Sequence, residues 1–327
     1  MKIDVHTHFL SKKIAQTLEK RSDFPYTRLV DGTYHFHCCQ GLTIPMAPAL
    51  YDVRTKLAHM DETGIDISIL SLAIPGPDRV GGAMADDLAR IANDLLAELI
   101  AAHPERFWGY ATLGFGDMEA TLKELDRCFS TLNFRGLQLY SNINDKPLDS
   151  PEFRPVFARM AELKRPIFIH PTVPLNRNFL MDLVPVPVLA FMVDNTLAAM
   201  RLALSGVLSD YSDAPIIIPH VGATVPYLMG RLNGMLGDFG GDEAVKEPGR
   251  FLKKLYMDTV AYEPEPLDWC LSLMGADQLL LGTDYPYGPW RIPVELAEKL
   301  SCSDDEREQI LHGNAERLFT GQHKMTG

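Results

Sequence analysis

Two histidines near the start of the chain, His6 and His8, have the spacing of a metal-binding pair. The neighbouring residues Ile3 and Val5 are apolar and β-branched, which predicts a short strand. On a strand, residues two apart point to the same side, so both imidazoles face one way. Imidazole is a common ligand of Zn²⁺ and related ions, so the pair supplies half of a metal site. The alternative at this point is a pair of solvated histidines on a surface strand.

Further potential ligands stand at the ends of later apolar runs. His170 ends the run PIFIH, His220 ends PIIIPH, and Asp284 ends QLLLGTD. Three imidazoles and one carboxylate, from His6, His8, His170 and Asp284, can hold a divalent ion and leave positions open for water or substrate. His220 is then free to act on that water. Any one of these residues could simply be hydrogen-bonded in a core, but five with the same placement favour a site.

The elements that would position these residues alternate along the chain. Eight short apolar runs predict strands, several of them apolar throughout, as in parallel strands covered on both faces. The predicted strands are Lys2–His8, Ile65–Ser71, Phe107–Leu113, Arg135–Tyr140, Pro166–His170, Pro215–His220, Lys254–Thr259 and Gln278–Asp284. Amphipathic patterns between them predict helices over Asp52–Thr63, Ala85–His103, Met118–Leu132, Glu152–Lys164, Met192–Ser209, Thr224–Leu236 and Pro264–Met274.

Eight strand–helix units predict an α/β protein with the (β/α)₈ TIM-barrel fold, as a single domain over residues 1–327. A doubly wound open sheet is the alternative, but no glycine-rich phosphate loop follows the first strand. In a (β/α)₈ barrel the chemistry lies at the carboxyl ends of the strands, which is where all five candidate residues fall.

One segment departs from this alternation. About 55 residues separate the first two predicted strands, too many for a simple crossover. Within them Thr27–Val30 and Thr33–Cys38 flank Asp31-Gly32, a strong hairpin signal. We therefore predict a β-hairpin insertion over about residues 24–46, lying over the barrel mouth.

The insertion also contains His35, His37, Cys38 and Cys39, whose types resemble a second metal cluster. An ordinary hairpin face with buried thiols is the better interpretation, because no second ligand pair follows at zinc-finger spacing. A third interpretation is that the hairpin lines the substrate pocket.

Composition excludes several classes of function. The 327 residues are 46% hydrophobic and 23% charged, as in an ordinary soluble protein. The net charge of −12 argues against nucleic acid or an anionic membrane as a partner. The five cysteines are odd in number and scattered, the N-terminus lacks an apolar signal segment, and no apolar run could span a bilayer. A cytoplasmic location fits these observations best.

Six motifs, spread along nearly the whole chain, carry a resemblance to a known family. They are IDVHTHF at 3–9, MDETGID at 60–66, IFIHP at 167–171, IIPHVGATVPYLMGRL at 217–232, LGTDYPYG at 281–288 and HGNAERLF at 312–319. By these motifs the chain resembles the amidohydrolase superfamily, in the branch of ACMSD (α-amino-β-carboxymuconate-ε-semialdehyde decarboxylase) and its relatives.

The resemblance implies a role for each candidate residue. His6, His8, His170 and Asp284 would be the metal ligands, and His220 would be the general acid/base, so that His220 and Asp284 form the catalytic pair. Two-metal members of the family use a carboxylated lysine after the fourth strand. Here the fourth strand reads GLQLY, with no lysine before Lys146. We therefore expect one divalent ion, Zn²⁺ in the first place and Mn²⁺ as the alternative, and no organic cofactor.

The activity implied by the resemblance is a metal-dependent, non-oxidative decarboxylation of a small aromatic or muconate-like carboxylic acid. The same ligands would also serve a hydrolase acting on a lactone, an amide or a ring-cleavage product, or a hydratase, and the metal motif does not separate these reactions. A barrel that binds a small acid without catalysis is the alternative outside enzymes, and the complete ligand set with its spare histidine argues against it.

Five basic residues are candidate contacts for the substrate carboxylate. Similar decarboxylases use an arginine at the position of Arg231, sometimes across a dimer interface, and another just before the MD motif. At that second place this chain has Lys56, with Arg54 two residues earlier, and an ammonium lacks the planar fork of a guanidinium. Arg177 and Arg291, in predicted loops at the barrel mouth, are further candidates.

Two expectations concern the surroundings of the site. Asp258, at the end of the seventh predicted strand, is a candidate partner for a ligating histidine. The resemblance and the apolar run PVPVLAFMV at 185–193 indicate a homodimer, with Met192–Ser209 and Gly222–Leu236 near its interface.

Overall fold

A computed structural model describes the chain except for residues 176, 178–179, 182–184, 237–247 and 322–327. Eight strands form one parallel sheet in which neighbours in the chain are neighbours in space. They are β1 (Ile3–Phe9), β2 (Ile67–Leu72), β3 (Phe107–Ala111), β4 (Gly136–Tyr140), β5 (Ile167–His170), β6 (Ile216–Ile218), β7 (Tyr256–Asp258) and β8 (Leu279–Leu280).

The sheet curves round so that its last strand returns to its first. The backbone N–H of Val5 donates to the carbonyl of Leu281 at 2.9 Å, and the N–H of His8 donates to the carbonyl of Tyr285 at 2.8 Å. Thr7 and Tyr285 also form a parallel bridge. The predicted (β/α)₈ barrel is therefore confirmed, and the segment after β8 that contains Asp284 lies directly beside β1.

Helices cover the outside of the barrel between the strands, and the seven that the amphipathic patterns predict are among them. Their bounds are Lys12–Leu18, Pro48–Tyr51, Val53–Thr63, Gly82–Ala102, Met118–Ser130, Arg154–Leu163, Ala190–Leu204, Val207–Asp210, Pro219–Gly222, Val225–Leu236, Pro248–Leu252, Pro264–Met274, Arg291–Lys299, Asp304–Glu308 and Asn314–Thr320. The helix Val53–Thr63 shows why the boundaries fall there. The Asp52 side chain accepts from the N–H of Arg54, and Gly64 ends the helix with a φ of 67°.

A compact apolar core fills the barrel beneath its mouth. Tyr110 stacks on Phe168 at 5.1 Å between ring centroids, and its hydroxyl donates to the carbonyl of Val5. Phe168 in turn contacts the His6 ring at 4.9 Å. Below these rings, Phe319 of the helix Asn314–Thr320 closes the bottom of the barrel. The mouth-facing histidines therefore stand on a packed base, which limits their movement.

The insertion after β1 is confirmed and is larger than a hairpin. It forms a three-stranded antiparallel sheet of Tyr26–Val30, Thr33–Cys39 and Leu42–Pro45. Asp31 and Gly32 both have positive φ, as the two-residue turn predicted for them requires. The third strand was not predicted, because it has only four residues and ends in a proline.

Among the described residues, no helix combines the length and the apolar character needed to cross a bilayer.

Candidate metal centre and its cavity

Four side chains meet at the carboxyl ends of the barrel strands. His6 and His8 come from β1, His170 ends β5, and Asp284 follows β8. One nitrogen or oxygen atom from each lies within 4.8 Å of the others. These are the four residues that the sequence predicts as ligands, and the barrel has brought them together from positions up to 278 residues apart. We call them the ligand cluster.

Hydrogen bonds orient all three imidazoles of the ligand cluster. In each ring Nδ1 has a partner: Asp258 Oδ2 for His6 at 2.6 Å, Ser71 Oγ for His8 at 3.0 Å, and the Pro171 carbonyl for His170 at 2.7 Å. The Ser71 hydroxyl donates to the carbonyl of Thr7, so its oxygen accepts from His8. Each neutral ring thus holds its proton on Nδ1 and presents the Nε2 lone pair, as metal-ligating histidines do.

Asp284 lies opposite these lone pairs. Its Oδ1 is 3.2 Å from His6 Nε2 and 3.1 Å from His8 Nε2. Its backbone has a φ of 60°, which is strained for a residue other than glycine, and the Asp284 N–H donates to the carbonyl of His6 at 2.8 Å. His6 Nε2 is buried and has no hydrogen-bond partner in good geometry. A buried orphan nitrogen beside a carboxylate is what a cation would satisfy, so the four residues fit a divalent ion.

Burial and neighbouring charges shift the pKa values of the ligand cluster in opposite directions. Burial lowers the pKa of His6, but the carboxylates of Asp284 and Asp258 outweigh it and raise that pKa to about 10. Burial lowers the pKa of His8 to about 4, with the Asp284 contact only partly opposing it. Burial raises the pKa of Asp284, yet the facing imidazoles hold it well below its usual range. Metal binding at these imidazoles therefore competes with protons.

His220 stands beside the ligand cluster but is held differently. Sequence reasoning ends the sixth strand at His220, and this boundary is wrong, because β6 ends at Ile218 and His220 has a left-handed backbone with a φ of 58°. The turn brings the His220 ring to 5.2 Å from that of His6 and its Nε2 to 3.6 Å from Asp284 Oδ2. Its Nδ1 is buried without a partner.

Asp258 connects His6 to the turn that carries His220. Its Oδ2 accepts from His6, and its Oδ1 accepts backbone N–H groups of His220, Val221 and Val260 at 2.7, 3.3 and 3.0 Å. The predicted contact between Asp258 and a ligating histidine is therefore present. The sequence did not indicate that Asp258 also stabilises the strained turn.

A large cavity opens above the ligand cluster. Its volume is about 1020 Å³, and its floor is formed by His170, His220 and Asp284. The rest of its lining is mostly apolar and comes from the insertion and the following residues Ala47 and Leu50, from Ile74 after β2, from residues 185–192, and from the segments after β6, β7 and β8. Thr43, Tyr262, Trp269 and Tyr287 are its other polar groups, and no described lining residue is a lysine or an arginine. The insertion thus lines the cavity through Gly41–Pro45, as one of the three interpretations of the sequence expects.

Lys56 does not reach this cavity. It is fully buried behind β1, where its ammonium donates to the Thr7 hydroxyl and to the carbonyl of His8, and lies 4.3 Å from the Tyr285 ring centroid. Burial lowers the pKa of Lys56 to about 7, although the charge of Asp4 opposes this. The side chain therefore supports the strand that carries the ligands, and the structure does not place it for contact with a substrate.

The four candidate arginines also lie outside the cavity lining. Arg54 has a side chain that is 95% exposed. Arg177 and Arg291 pair with Asp145 and Glu62, respectively. Arg231 is exposed on the helix Val225–Leu236, whose residue Pro226 does line the cavity. Within one described chain, then, none of the five basic candidates joins the ligand cluster.

The second histidine pair does not form a metal cluster with its neighbouring cysteines. His37 stacks on Tyr26 at 4.5 Å, and its Nδ1 lies 3.1 Å from the Thr43 hydroxyl. Cys38 is buried on the opposite side of the strand, where burial raises the pKa of its thiol. Among the described residues, the ligand cluster is the one group of three or more such side chains close enough to hold an ion.

Three residues of the site were missed by sequence reasoning. Asp4 accepts from Thr283 and from the N–H of His6, and thereby holds the segment after β8 against β1. Ser71 orients His8, and Tyr287 lines the cavity while its hydroxyl oxygen is buried without a hydrogen-bond partner. The available signals were a carboxylate and a hydroxyl inside apolar strands, and a tyrosine three residues after a candidate ligand.

Comparisons with known proteins agree with this geometry. The profile of the Amidohydrolase family matches residues 3–320. The chain is 32% identical to gamma-resorcylate decarboxylase of Rhizobium sp. strain MTP-10005, over 83% of this chain and 88% of that protein. It is 28% identical to 2-amino-3-carboxymuconate-6-semialdehyde decarboxylase of Dictyostelium discoideum, over 96% of this chain and 90% of that protein.

A solved structure with the same fold is that of a dihydroxybenzoic acid decarboxylase from Polaromonas sp. JS666, with bound manganese and the inhibitor 2-nitroresorcinol. It superposes with a TM-score of 0.81 and 26% identity, covering 99% of this chain and 98% of that one.

Proposed function

The chain belongs to the amidohydrolase family, and from that premise we propose that it is a metal-dependent decarboxylase, a carboxy-lyase that releases CO₂ from a small aromatic carboxylic acid. The observation that carries the proposal is the ligand cluster at the floor of an otherwise apolar cavity, with a further histidine beside it. The similar proteins named above are decarboxylases of aromatic or muconate-type acids, which supports the same reaction class.

We propose that His6, His8, His170 and Asp284 hold one divalent ion. Three imidazole nitrogens and a carboxylate favour Zn²⁺, and the manganese in the Polaromonas enzyme makes Mn²⁺ the alternative. An ion held there supplies positive charge for the substrate carboxylate and stabilises the negative charge that develops during the reaction.

The chain's own lining supplies shape and a few hydroxyl groups. The cavity is flanked by apolar side chains, so an aromatic ring loses water on entering it and gains contacts with its walls. The lining residue Tyr262 carries a hydroxyl group that can donate to an oxygen of the substrate. In this arrangement the apolar walls exclude water from the substrate ring, and the substrate carboxylate lies at the cavity floor.

We assign the proton transfer to His220. The bond between the ring carbon and the carboxyl carbon breaks, its electron pair stays with the ring, and the carboxyl group leaves as CO₂. A proton from His220 forms the new C–H bond, and water restores the proton to the imidazole. Asp284 Oδ2, 3.6 Å from His220 Nε2, pairs with the protonated ring and so contributes to the step as well as to the ligand cluster.

The test is to measure CO₂ release from 2,6-dihydroxybenzoate and from 2-amino-3-carboxymuconate semialdehyde, using protein loaded with Zn²⁺ or with Mn²⁺. We expect release from at least one acid, lost after chelation and restored by the ion. Elemental analysis should find about one equivalent per chain. Hydrolysis of lactones or esters by the loaded protein, with no CO₂ from any acid, would identify a hydrolase instead.

We also propose a homodimer in which Arg231 contacts the substrate bound by the partner subunit. Arg231 is exposed, and so is Tyr227 one helical turn earlier, while Pro226 of the same helix lines the cavity. Val193, on the helix Ala190–Leu204 that packs against this one, adds exposed apolar surface. Light scattering at micromolar concentration should give a dimer, and Arg231→Ala should raise KM more than it lowers kcat. A monomer would remove this assignment.

A further inference from the structure

Resting on the decarboxylase proposed above, we propose that the natural substrate carries an apolar arm on its ring, opposite the carboxyl group, and that the outer part of the cavity binds this arm. The outer wall is formed by Ile44, Val188, Phe191, Pro226 and Trp269. The inference therefore concerns the class of substrate and a binding subsite for it.

The first argument is size. Pockets of roughly 300–1,000 Å³ enclose ligands as large as a drug molecule. The cavity measures about 1020 Å³ within the described part of the chain, at the upper end of that range. A benzoate with two hydroxyl groups is a single ring with small substituents, and it fills only a minor part of such a volume. An enzyme for that acid alone would leave apolar walls hydrated, so the remaining space indicates a larger substrate.

The second argument is the chemistry of the outer wall. Its members are aliphatic, aromatic or proline side chains from four separate segments of the fold, and no charged side chain lies among the described lining residues above the floor. Val188 is 65% exposed and Trp269 is 44% exposed, which is unusual for large apolar side chains converging on one opening. A polar or anionic substituent would find few partners here, whereas an alkyl chain would bury both itself and this surface.

The third argument is continuity with the reactive centre. The same cavity reaches His170, His220 and Asp284 at its floor and Val188 and Trp269 at its exposed rim. A ring whose carboxyl group faces the floor points its opposite carbon toward the opening. An alkyl substituent at that carbon runs along the outer wall without displacing the reacting atoms. Binding energy gained along the wall can therefore lower the barrier of the reaction at the floor.

The experiment compares 2,6-dihydroxybenzoates with hydrogen, methyl, propyl or pentyl at carbon 4. We expect kcat/KM for CO₂ release to increase about three- to fourfold for each methylene that becomes buried, and by about tenfold or more from methyl to pentyl. Equal or decreasing values along the series would overturn the inference while leaving the decarboxylase assignment intact.

Two variants locate the subsite. Val188→Glu and Trp269→Glu each place a charge on the outer wall at an exposed position, where folding tolerates it. The ratio of kcat/KM for the pentyl acid to that for the unsubstituted acid should fall about tenfold or more in each. The matched control is Leu29→Glu, because Leu29 is an exposed apolar residue, at 53%, that does not line the cavity. This control should keep the wild-type ratio, and an equal loss in all three variants would refute the location.

Binding of the products tests the inference independently of turnover. Calorimetry with resorcinol and 5-pentylresorcinol should give a Kd at least about tenfold lower for the pentyl compound, and Val188→Glu should abolish the difference. If no acid is turned over but this preference remains, the proposed reaction fails and the subsite stands. If the two compounds bind equally, and Val188→Glu instead converts dimers to monomers in light scattering, the outer wall is covered by a second copy of the chain and the inference is wrong.

Discussion

The chain contains two histidine pairs with the same spacing on a strand, and only one of them lies in a candidate metal centre. His6 and His8 are fully buried in β1, at the mouth of the barrel. His35 and His37 are partly exposed on the insertion strand Thr33–Cys39, with Phe36 buried on its other face. The local pattern is the same in both places, so the difference must come from what each strand is packed against.

The contrast shows what a ligand pair needs beyond its spacing. β1 lies between β2 and the segment after β8, which supply Ser71 and Asp284 on either side of its histidines. The insertion strand has antiparallel neighbours that offer His37 a tyrosine ring and a threonine hydroxyl, and no carboxylate or further imidazole converges there among the described residues. Two imidazoles become half of a metal site only when the fold delivers the other half.

The largest effect is expected when each histidine pair is removed in turn. The double variant His6→Ala, His8→Ala should lose the bound ion and reduce CO₂ release to background, because two of four ligands are gone. The matched double variant His35→Ala, His37→Ala should keep about one equivalent of metal and most of the activity. Elemental analysis and turnover on both preparations test this. Metal retained in the first variant, or lost in the second, would reverse the comparison.

A second experiment separates His220 from the ligand cluster. His220→Ala should keep the ion, because this residue lies outside the cluster, yet lower kcat by about 10²–10⁴-fold with a modest change in KM. His170→Ala should lose the ion as well as the activity. Metal content, kcat and melting temperature are measured on the same samples. Near-native kcat in metal-loaded His220→Ala would end its assignment as the acid/base.

A third experiment compares the residues that support each pair. Asp258→Asn should weaken metal affinity by about 10–100-fold, because the amide cannot replace the carboxylate that orients His6 and the His220 turn. Thr43→Val removes the hydroxyl beside His37 and should leave metal affinity unchanged. Competition with a chelator measures both. Equal affinities in the two variants would show that the Asp258 contact does not tune the centre.

The smallest expected effect concerns His59, a buried histidine that belongs to neither pair. His59 is buried against Tyr285 and Trp290, and neither of its ring nitrogens has a partner. Burial, with the charges of Lys56 and Arg291, lowers the pKa of His59 from 6.5 to about 3. Between these two pKa values the His59 imidazole binds a proton in the unfolded chain but not in the folded chain. His59 therefore destabilises the fold increasingly as pH falls from 6.5 toward 3.

His59→Phe keeps the aromatic stack and removes this proton uptake. Melting temperatures of wild type and variant should be similar at pH 7.5, and the wild-type value should fall further on going to pH 5, by about 2 °C or more. His35→Phe, at a partly exposed position, is the control and should not change the acid sensitivity. An unchanged pH dependence in His59→Phe would mean that the pKa of His59 is the same in the folded and the unfolded protein.

Much of the fold follows from local pattern. The eight strands and seven of the helices were predicted within a few residues, because parallel strands and amphipathic helices each impose a period on the sequence. Asp31-Gly32 specified a tight turn for the same local reason, and the helix predicted over Asp52–Thr63 is found over Val53–Thr63, with Asp52 as its N-cap. The four proposed ligands and His220 were also found in this way, since a barrel places the ends of all its strands at one mouth.

Other features were decided by contacts between residues far apart in the chain. Lys56 looked like a substrate contact, but the packing of its helix against β1 buries it on the Thr7 hydroxyl. The His220 turn is held by a carboxylate 38 residues later, and no local signal marks a left-handed histidine. The lining of the cavity likewise joins segments that share no sequence pattern.

The sequence by itself therefore determined the barrel, the four proposed ligands and the acid/base candidate, because periodicity and strand-end position are local properties. Only the tertiary structure decided how deeply each histidine pair is buried, which basic residues are kept from the cavity, and how much apolar surface surrounds the reactive floor. The physical reason is that burial, pKa and the partners of a hydrogen bond depend on every group that the fold brings near a residue, and most of these lie far away in the chain.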